Sequence, residues 1–417
     1  RRTRSLIVAD REYRDDCEIH CVGDYEIAEH YGDPRELDVP TFAVEDNEVR
    51  FFHAAEDRLA AVIGLIDMAE ERIRAFYYMV GEDEIGEAFM KALCRACRRG
   101  VEVQLVIDAI GSDETPDEFF NEFLEEGGTW HKFSAAWSTK SLIRNHQKIL
   151  VIDSNQAIVS GFNMAADYFG KADPPENSWE DMGVLVSGPD AGQLADYYDK
   201  LIEIAKQKKV RLRDIRRLVS NWHGDRGPLA WTIGGPGRLS PWVRSLKNDL
   251  ESGERLDMVE AYFSPGRSIL RRIGHLARRG QARLILAGRT DHKITLAAHR
   301  LTHSYLLKRR AHVYEYERCR LHMKCIVIDD VVYAGSSNMD ARSLYVNLEI
   351  MVRIESAEAA QHIRERMDRM QARSLEITPD VNDKRTGLFT RIYWVFAYFV
   401  VSTMDKTVSG TIGRTED

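Results

Sequence analysis

The sequence predicts an α/β protein with a duplicated fold, in which two β-sheets flanked by helices are related by a pseudo-twofold axis. A His-x-Lys-x4-Asp motif occurs twice, 176 residues apart. Strand-like and helix-like segments alternate in the same order around both copies. The glycines that end one helix in each half, Gly100 and Gly280, are 180 residues apart. Because the two offsets nearly agree, the halves are in register, which indicates an internal repeat.

The first half alternates short apolar runs with longer segments of helical periodicity. Runs rich in β-branched residues predict strands at residues 48–52, 72–79, 101–108, 148–152 and 184–186. Apolar residues at helical spacing predict helices at residues 54–69, 85–99, 115–126 and 190–206. Strands that alternate with helices are typical of parallel or mixed sheets covered by helices.

The second half repeats this order. Strands are predicted at residues 229–233, 256–263, 283–287 and 346–354, and residues 313–316 lead into a second motif strand. Helices are predicted at residues 241–250, 268–279, 299–309 and 357–374. We divide the chain into an acidic N-terminal extension (1–45), a first half (46–205), a charged connector (206–227), a second half (228–378) and a C-terminal tail (379–417).

The two motifs combine imidazole and ammonium groups. His146 and Lys148 precede an apolar run, and His322 and Lys324 stand in the same relation to a second one. In extended chain, positions i and i+2 point the same way, so each His and its Lys should project from one face. Two such pairs side by side would repel each other unless they hold an anion, and phosphate is the natural candidate.

Other polar residues carry weaker signals. Asp153 and Asp329 follow their lysines by an odd number of positions, which points them away from the Lys face, so we interpret them as structural. Cys94 and Cys97 lie in a predicted helix without a second pair and are interpreted as ordinary helix residues. Histidines outside the motifs are treated as surface or substrate-edge residues: His53, His131, His275, His292, His299, His303 and His312.

Charge and hydropathy narrow the class of protein. A net charge of −8 disfavours a general nucleic-acid binder, whose domains usually carry a basic excess. Residues 267–324 are nevertheless rich in Arg and Lys, which suits anionic lipid headgroups, and a solvated surface accounts for it equally well. No run of about 20 apolar residues is present to span a membrane. The chain begins at Arg1 rather than at Met, and whether a membrane segment precedes it is left open.

Several further stretches match one family. They are Arg99-Gly100-Val101-Glu102-Val103, Trp179-Glu180-Asp181 leading to Gly188-Pro189, Ala261-Tyr262-Phe263-Ser264-Pro265-Gly266, and residues 335–344 followed by Asn347-Leu348-Glu349. With the two motifs, residues 48–377 resemble the phospholipase D superfamily, and within it most closely the bacterial-type cardiolipin synthases. The chain departs from the family's pattern in a shorter turn after Asp329, in a turn that begins at Ser160, and in lacking the N-terminal membrane helices common in these synthases.

The resemblance implies a covalent mechanism. One imidazole attacks phosphorus to form a phosphohistidine, while the other protonates the leaving alcohol and then deprotonates the incoming one. It implies His146 as nucleophile and His322 as general acid/base, although the symmetry of the motifs leaves the reverse open. The other implied site residues hold non-bridging oxygens (Lys148, Lys324, Asn163 and Asn338) or orient the imidazoles (Asp181 and Glu349). Arg342, Ser343 and Asn347 contribute to the floor of the site or form a structural turn. Neither a cofactor nor a metal is implied.

Three classes of function stay open. They are a phosphatidyltransferase that joins two lipids, a phospholipase D hydrolase that releases phosphatidic acid, and a nuclease, phosphodiesterase or catalytically silent relative of the same fold. The acidic net charge disfavours the nuclease, and two complete motifs disfavour the silent relative. The synthase-like region at residues 340–349 favours the transferase, since the choice of acceptor depends on how the pocket excludes water.

The expected partners are phospholipids, phosphatidylglycerol or similar, at the bacterial inner membrane. An uncharged, aromatic-rich segment begins at Ile392 and ends at Met404, too short to span a bilayer. Tyr and Trp favour the headgroup level, so we interpret this segment as an interfacial anchor, with burial against the protein's own core as the alternative. Together with the basic second half it would hold the enzyme on the membrane. No nucleic-acid partner is expected, and the oligomeric state is left open.

Overall fold

The structure is a computed structural model that describes residues 25–136, 142–173, 175–207, 210–224, 226–237, 240–290 and 293–413. The strands of the first half are β1 (Thr41–Val44), β2 (Asn47–Phe52), β3 (Arg72–Tyr77), β4 (Glu102–Asp108), β5 (Thr129–Phe133), β6 (Ala135–Ala136), β7 (Leu142–Ile143), β8 (Ile149–Ile152), β9 (Gln156–Ser160), β10 (Trp179–Glu180) and β11 (Gly183–Ser187). The helices that accompany them are α1 (Ala55–Met68), α2 (Glu84–Arg98), α3 (Asn121–Glu125), α4 (Pro189–Ala205) and α5 (Leu212–Ser220).

The second half follows the same plan. Its strands are β12 (Leu229–Gly234), β13 (Arg255–Glu260), β14 (Phe263–Ser264), β15 (Gln281–Ala287), β16 (His312–Tyr316), β17 (Arg320–Leu321), β18 (Lys324–Ile328), β19 (Val331–Gly335), β20 (Met339–Asp340), β21 (Glu349–Glu355) and β22 (Ser374–Glu376). Its helices are α6 (Pro241–Ser252), α7 (Arg267–Arg279), α8 (Lys293–Leu307), α9 (Ala341–Tyr345), α10 (Ala357–Gln371), α11 (Pro379–Arg385) and α12 (Leu388–Gly413).

Each half builds one eight-stranded sheet with the same internal order. The first sheet runs β1-β2-β11-β9-β8-β3-β4-β5, and the second runs β12-β21-β19-β18-β13-β15-β16-β22. Apart from the edge strands β1 and β22, equivalent strands occupy equivalent places. In both sheets the last three shared strands are parallel, while the motif strands β8 and β18 pair antiparallel to both neighbours. The prediction of a duplicated α/β fold with two sheets flanked by helices is confirmed.

The two sheets share an apolar core. Helices α1 and α2 cover one face of the first sheet, and α6 and α7 cover one face of the second. The opposite faces belong to one continuous cluster together with α4 and α10, which includes Val151 of β8, Leu194 of α4 and Val327 of β18. Because side chains alternate between the faces of a strand, every motif strand is buried on both sides. This shared core fixes the two motif loops relative to each other.

Local sequence sets the bounds of α2. The Asp83 carboxylate caps the helix by accepting from two backbone N–H groups of the first turn, at 3.1 and 3.0 Å. Gly100, with φ of +89°, follows its last turn, a backbone conformation that glycine adopts without strain. Cys94 and Cys97 are free thiols within this helix, and burial raises the pKa of both. The prediction that they are ordinary helix residues is confirmed.

Several elements differ from the prediction. Strands β5, β9 and β19 were not predicted, and the segment 115–126 forms a short 3-10 turn followed by α3 rather than one helix. The helix predicted at residues 299–309 is α8, which begins at Lys293 and ends at Leu307, and the predicted connector contains α5. The predicted strand 346–354 begins at Glu349, because α9 and the turn after it precede that residue. Strands β9 and β19 follow the motif strands directly, after tight turns that start at the motif aspartates. These turns were not predicted, because the aspartates that begin them were assigned to the motif.

The motif aspartates serve these turns. Asp153 accepts hydrogen bonds from the N–H groups of Glu71 and Arg72 at 2.9 and 2.7 Å, and Asp329 accepts from the N–H of Arg255 at 2.9 Å. Both adopt a φ of +48°. Each carboxylate therefore ties the end of a motif strand to the start of the neighbouring strand, and the prediction that both are structural is confirmed.

The prediction for the histidines outside the motifs was wrong at His299 and His303, and both ring nitrogens of His53 are buried as well. His299 and His303 are each 1% exposed, because α8 turns the face that carries them toward its own sheet. His275 and His312 are exposed as predicted. His292 lies outside the described residues.

The C-terminal aromatic segment is part of α12, which extends beyond it at both ends. Trp394 and Ala397 are buried in a cluster with residues of α8, and the Tyr398 hydroxyl donates to the Pro265 carbonyl at 2.9 Å. The remaining surface carries exposed apolar side chains: Leu388, Phe389, Ile392, Tyr393, Val395, Phe396 and Phe399. One side of the helix is thus buried against the protein and the other is not. Within the described part of the chain, no helix combines the length and hydropathy needed to cross a bilayer.

Candidate active site

The two motif loops share one local geometry. His146 lies in the loop between β7 and β8, and His322 lies between β17 and β18. The Lys148 ammonium donates to the His146 carbonyl at 2.8 Å, and Lys324 donates to the His322 carbonyl in the same way. The residue between each pair points elsewhere, since the Gln147 amide donates to a tyrosine hydroxyl on α4. Each His and Lys therefore share a side of the loop, as the i, i+2 spacing requires.

Each motif imidazole is held by a carboxylate from the opposite half. The Nδ1 atom of His146 lies 3.1 Å from Oε2 of Glu349, and Nδ1 of His322 lies 2.7 Å from Oδ2 of Asp181. The same nitrogen of His146 is 3.2 Å from the Ser336 carbonyl. Because all of these neighbours are acceptors, Nδ1 must carry the proton, which leaves Nε2 of each ring as the basic nitrogen.

Backbone hydrogen bonds also connect each motif to the opposite half. The His146 N–H donates to the Leu348 carbonyl at 2.9 Å, and the His322 N–H donates to the Glu180 carbonyl at 2.9 Å. Each acceptor is the residue directly before the carboxylate that holds the imidazole. Strands β10 and β17 also pair across the halves. These reciprocal contacts bring both motifs to one site with pseudo-twofold symmetry.

Neighbouring side chains fix the Glu349 carboxylate. The Ser336 hydroxyl donates to its Oε2 at 2.6 Å, and the Asn347 amide donates to its Oε1 at 3.4 Å. Asn347, which the sequence left between a site role and a structural role, thus contacts the residue that orients His146. Ser343 has a structural role, because its backbone N–H donates to the Asp340 carboxylate that caps the N-terminus of α9.

Burial controls the charges at the site. It lowers the pKa of Lys148 to about 7 and that of Lys324 to about 8, and it lowers the pKa of His146, to which the charge of Lys148 adds. Burial alone would raise the pKa of Glu349, but His146 and Lys148 hold it below its ordinary value. Burial also raises the pKa of Asp181 to about 6, against the pull of Lys324. An anion between the motifs would relieve the repulsion of the two ammonium groups.

The two predicted asparagines follow equivalent strands. Asn163 comes three residues after β9 and Asn338 three residues after β19, and both are buried. The Asn163 amide donates to the Tyr168 hydroxyl at 3.0 Å, and the Tyr168 ring packs edge-on against His322 with centroids 5.0 Å apart. Neither Oδ1 atom has a hydrogen-bond partner among the described residues. These free atoms are acceptors, so only the amide NH2 groups of the two side chains could donate to the oxygens of a phosphodiester.

Aromatic rings line the imidazoles, and the sequence did not predict their roles. Tyr78 lies edge-on to His146 with centroids 5.0 Å apart, and the Lys148 ammonium is 5.1 Å from the centre of the same ring. Trp179 lies 5.3 Å from His322. Tyr78 directly follows β3, the strand next to the first motif strand. This position in the sequence is the signal that could have indicated a role for Tyr78 at the site. These rings limit the access of water to the imidazoles.

Glu260 is a further buried group that the sequence did not indicate. It ends β13 directly opposite Lys324 in the antiparallel pair with β18. Its Oε2 accepts from the Met339 N–H at 3.2 Å, and burial raises its pKa well above the ordinary value although Lys324 opposes this. Burial therefore favours the neutral form of Glu260. An acidic residue that interrupts an apolar strand was the available signal.

A group able to hold a metal ion occurs elsewhere in the described residues. His299, His303 and Glu315 place ligand atoms within 4.8 Å of one another on α8 and β16. None of the three belongs to the motif loops.

The fold and the site define a class of protein. Two sheets of identical order face each other through a shared core, and two imidazoles, each oriented by a carboxylate of the other half, meet two buried ammonium groups. Such a site suits a single phosphodiester bound between two His-x-Lys motifs, with basic nitrogens directed at it.

Comparison with known proteins identifies the family. A model described as cardiolipin synthase, phospholipase D-like domain, matches residues 62–203 and 246–371, and the chain belongs to this family. It is 29% identical over 335 residues to cardiolipin synthase B of Escherichia coli (strain K12), covering 78% of this chain and 80% of the relative. It is 27% identical over 356 residues to a cardiolipin synthase of Listeria monocytogenes serotype 4b (strain CLIP80459), covering 82% and 72%. The resemblance predicted from the motifs is confirmed.

Solved structures share the fold at low identity. The phosphatidylserine synthase of Haemophilus influenzae Rd KW20 aligns with a TM-score of 0.68 at 12% identity, covering 89% of this chain and 97% of that chain. The polyphosphate kinase of Porphyromonas gingivalis aligns with a TM-score of 0.55 at 11% identity, covering 88% of this chain and 53% of that chain. Both likenesses concern the fold alone.

Proposed function

We propose that this chain is a phosphatidyltransferase of the cardiolipin synthase type, which moves a phosphatidyl group between two phospholipids through a phosphohistidine intermediate. One observation carries the proposal: each motif imidazole contacts a carboxylate of the other half, so both imidazoles flank one buried cationic site. The relatives named cardiolipin synthase support phosphatidylglycerol or a similar phospholipid as substrate.

In the first step, Nε2 of His146 attacks the phosphorus and the bond to the headgroup alcohol breaks. The alcohol oxygen keeps the electron pair and takes a proton from Nε2 of His322, which enters this step as the imidazolium, protonated on both ring nitrogens. The lowered pKa of His146 keeps this ring neutral, as a nucleophile must be, and the ionised Glu349 stabilises the positive charge that develops on it. Asp181 holds His322 in the matching orientation.

In the second step, the acceptor hydroxyl loses its proton to His322 and its oxygen attacks the phosphorus, which breaks the phosphorus–nitrogen bond. A hydroxyl of a second phosphatidylglycerol gives cardiolipin, whereas water gives phosphatidic acid. Lys148, Lys324 and the amides of Asn163 and Asn338 hold the non-bridging oxygens in both steps. A bound phosphodiester also restores the full charge of the two lysines, because an opposite charge nearby favours the charged form.

Product analysis with phosphatidylglycerol vesicles tests the activity. We expect cardiolipin and glycerol from the native chain and no product from His146→Ala or His322→Ala, with nearly as large a loss in Lys148→Ala. The matched control is His275→Ala, which replaces an exposed histidine of α7. Phosphatidic acid in place of cardiolipin would assign the hydrolase instead. The absence of any lipid product from the native chain would reject both activities.

A substrate with a weakly basic leaving group separates the roles of the imidazoles. Phosphatidyl-p-nitrophenol needs little protonation of its leaving group, so His322→Ala should still release one equivalent of nitrophenol per chain and stop at the covalent intermediate. His146→Ala should release none, because it lacks the nucleophile. The opposite pattern would reverse the two assignments.

We further propose that the exposed side of α12 docks on the membrane, at the inner membrane of the bacterial cell. Phe389 is 85% exposed and Phe396 59% exposed, on a helix whose other side packs on α8. Apolar and aromatic side chains exposed along one side of a helix suit insertion at the headgroup level. The helix also contacts α9 and β14. Strand β14 pairs with β20, which directly follows Asn338, and α9 directly follows β20. Docking through α12 would therefore present this part of the site to the lipid surface.

Vesicle sedimentation tests this surface. The Phe389→Ser and Phe396→Ser double variant should lose most of its binding to phosphatidylglycerol vesicles, and Leu124→Ser, which removes an exposed apolar side chain from the first half, should bind as the native chain does. Equal binding of all three proteins would reject the surface. Turnover on detergent-dispersed substrate should stay unchanged, which separates docking from chemistry.

A further inference from the structure

A cluster of buried imidazoles lies away from the motif loops. His299 and His303 are one turn apart on α8, and Glu315 lies on β16, the strand that α8 covers. All three side chains are at most 1% exposed. A His nitrogen of each ring approaches Oε1 of Glu315, at 3.9 Å for His299 and 4.0 Å for His303, too far for a hydrogen bond.

These imidazoles have unused nitrogens. The Nε2 atoms of His299 and His303 are buried without a hydrogen-bond partner among the described residues, an unfavourable state for polar atoms. Burial lowers the pKa of His299 and lowers that of His303 to about 3, so both rings are neutral. The neutral imidazole is the form that binds metal ions, and each ring here has a buried nitrogen without a hydrogen-bond partner among the described residues.

The third member is a fixed carboxylate. Arg300 donates to both oxygens of Glu315 at 2.9 and 2.8 Å, and Arg385 of α11 donates to Oε2 at 2.8 Å. Burial by itself would raise the pKa of Glu315, but the neighbouring His299 and Arg300 hold it well below the ordinary value. The guanidinium groups of Arg300 and Arg385 offset the negative charge of Glu315, so the imidazoles are the main metal-binding groups of the site. Such a donor set favours metals that take nitrogen ligands over Mg²⁺ or Ca²⁺.

We propose that His299, His303 and Glu315 form a binding site for a divalent transition metal, with Zn²⁺ as the probe of choice. Two histidines at i and i+4 on a helix place their rings on one face, a spacing that suits zinc. Tetrahedral zinc with bonds of about 2.0–2.1 Å brings its ligand atoms to about 3.3 Å from one another. The two distances from the imidazoles to Glu315, 3.9 and 4.0 Å, would therefore close by less than an ångström. A water molecule supplies the fourth ligand.

The metal would join α8 to its sheet. Arg385 connects Glu315 to α11, so the site lies between α8, α11 and β16, and α12 packs on the other side of α8. Ligands that bind only the folded state stabilise it by mass action. The inference is independent of the proposed transferase activity, since none of these residues belongs to the motifs.

Metal analysis of the full chain tests the site. After treatment with a chelator, incubation with Zn²⁺ and desalting, the native chain should retain about one metal ion, and His299→Gln and His303→Gln should each retain little. The controls are His275→Gln and Cys97→Ser, which should retain the metal as the native chain does. Retention in both α8 variants, or none in the folded native chain, would overturn the proposal.

Cobalt binding to the native chain tests the same site without a variant, in case an α8 variant fails to fold. The native chain loaded with Co²⁺ should show the visible absorption of a tetrahedral site and no near-ultraviolet band from a cobalt–thiolate bond. Its midpoint of thermal unfolding should rise with the concentration of added Zn²⁺. A thiolate band, or a midpoint that ignores Zn²⁺, would reject the assignment to His299, His303 and Glu315.

Discussion

Replacing Glu349 with Gln should remove most of the activity and leave the fold intact. Glu349 is fully buried, lies 3.1 Å from Nδ1 of His146 and accepts a second hydrogen bond from Ser336. Gln has nearly the same volume and can still accept from Nδ1 through Oε1. The substitution therefore removes the negative charge that faces the imidazole, and its amide nitrogen replaces the oxygen that accepts the long, 3.4 Å hydrogen bond from Asn347.

The charge sets the size of the effect. Two unit charges about 4 Å apart interact by about 4 kcal/mol at an effective dielectric constant of about 20. The ring of His146 becomes positive as it bonds to phosphorus, so this attraction acts in the transition state and not in the neutral ground state. The hydrogen bond from Nδ1 to Oε1 of Gln would retain part of this stabilisation. Since about 1.4 kcal/mol corresponds to a tenfold change in rate, we expect a loss of about 10²- to 10³-fold in kcat.

The assay is turnover of phosphatidylglycerol, followed by nitrophenol release from phosphatidyl-p-nitrophenol. Both rates should fall in Glu349→Gln, because the nucleophile is impaired with either leaving group. The matched control is Glu355→Gln, which removes an exposed carboxylate from the other end of β21 and should change neither rate. A loss smaller than about fivefold in a folded Glu349→Gln protein would refute the electrostatic reasoning, since about 1 kcal/mol would then be the whole effect.

The remaining predictions concern pH and stability. His146 attacks only when neutral, so kcat/KM should fall on the acid side as His146 is protonated. Lys148 and Lys324 bind phosphate only when charged, so kcat/KM should also fall on the alkaline side as they lose protons near about pH 7 and about pH 8. A profile that rises through this alkaline range would contradict the assignment. Asp153→Ala removes the acceptor for several backbone N–H groups and should lower the free energy of unfolding by about 1–2 kcal/mol, measured by denaturant titration. Gly280→Ala would bring a Cβ to 1.8 Å from a backbone carbonyl oxygen, so we expect the free energy of unfolding to fall by about 1–3 kcal/mol in the same titration. An unchanged unfolding midpoint in either variant would refute the structural reason given for it.

Periodicity and repetition were sufficient to predict the general fold. The apolar motif runs Ile149–Ile152 and Lys324–Ile328 form central strands because a short β-branched run has few alternatives to a buried strand. Hairpins were harder to predict, since β9 and β19 begin within a few residues of the motif and the turn residues are the motif aspartates. The burial of His299 and His303 was missed because a helix in isolation does not indicate which of its faces meets a sheet.

The amino-acid sequence by itself determined that two His-x-Lys motifs sit at equivalent places in two equivalent halves, because strand and helix patterns are local properties. Only the tertiary structure decided that Glu349 faces His146 and Asp181 faces His322. The members of these pairs are 203 and 141 positions apart in the sequence, and their contact depends on how two sheets pack through one core. The same packing buries Lys148 and Lys324, and burial, rather than residue type, lowers their pKa values toward neutrality.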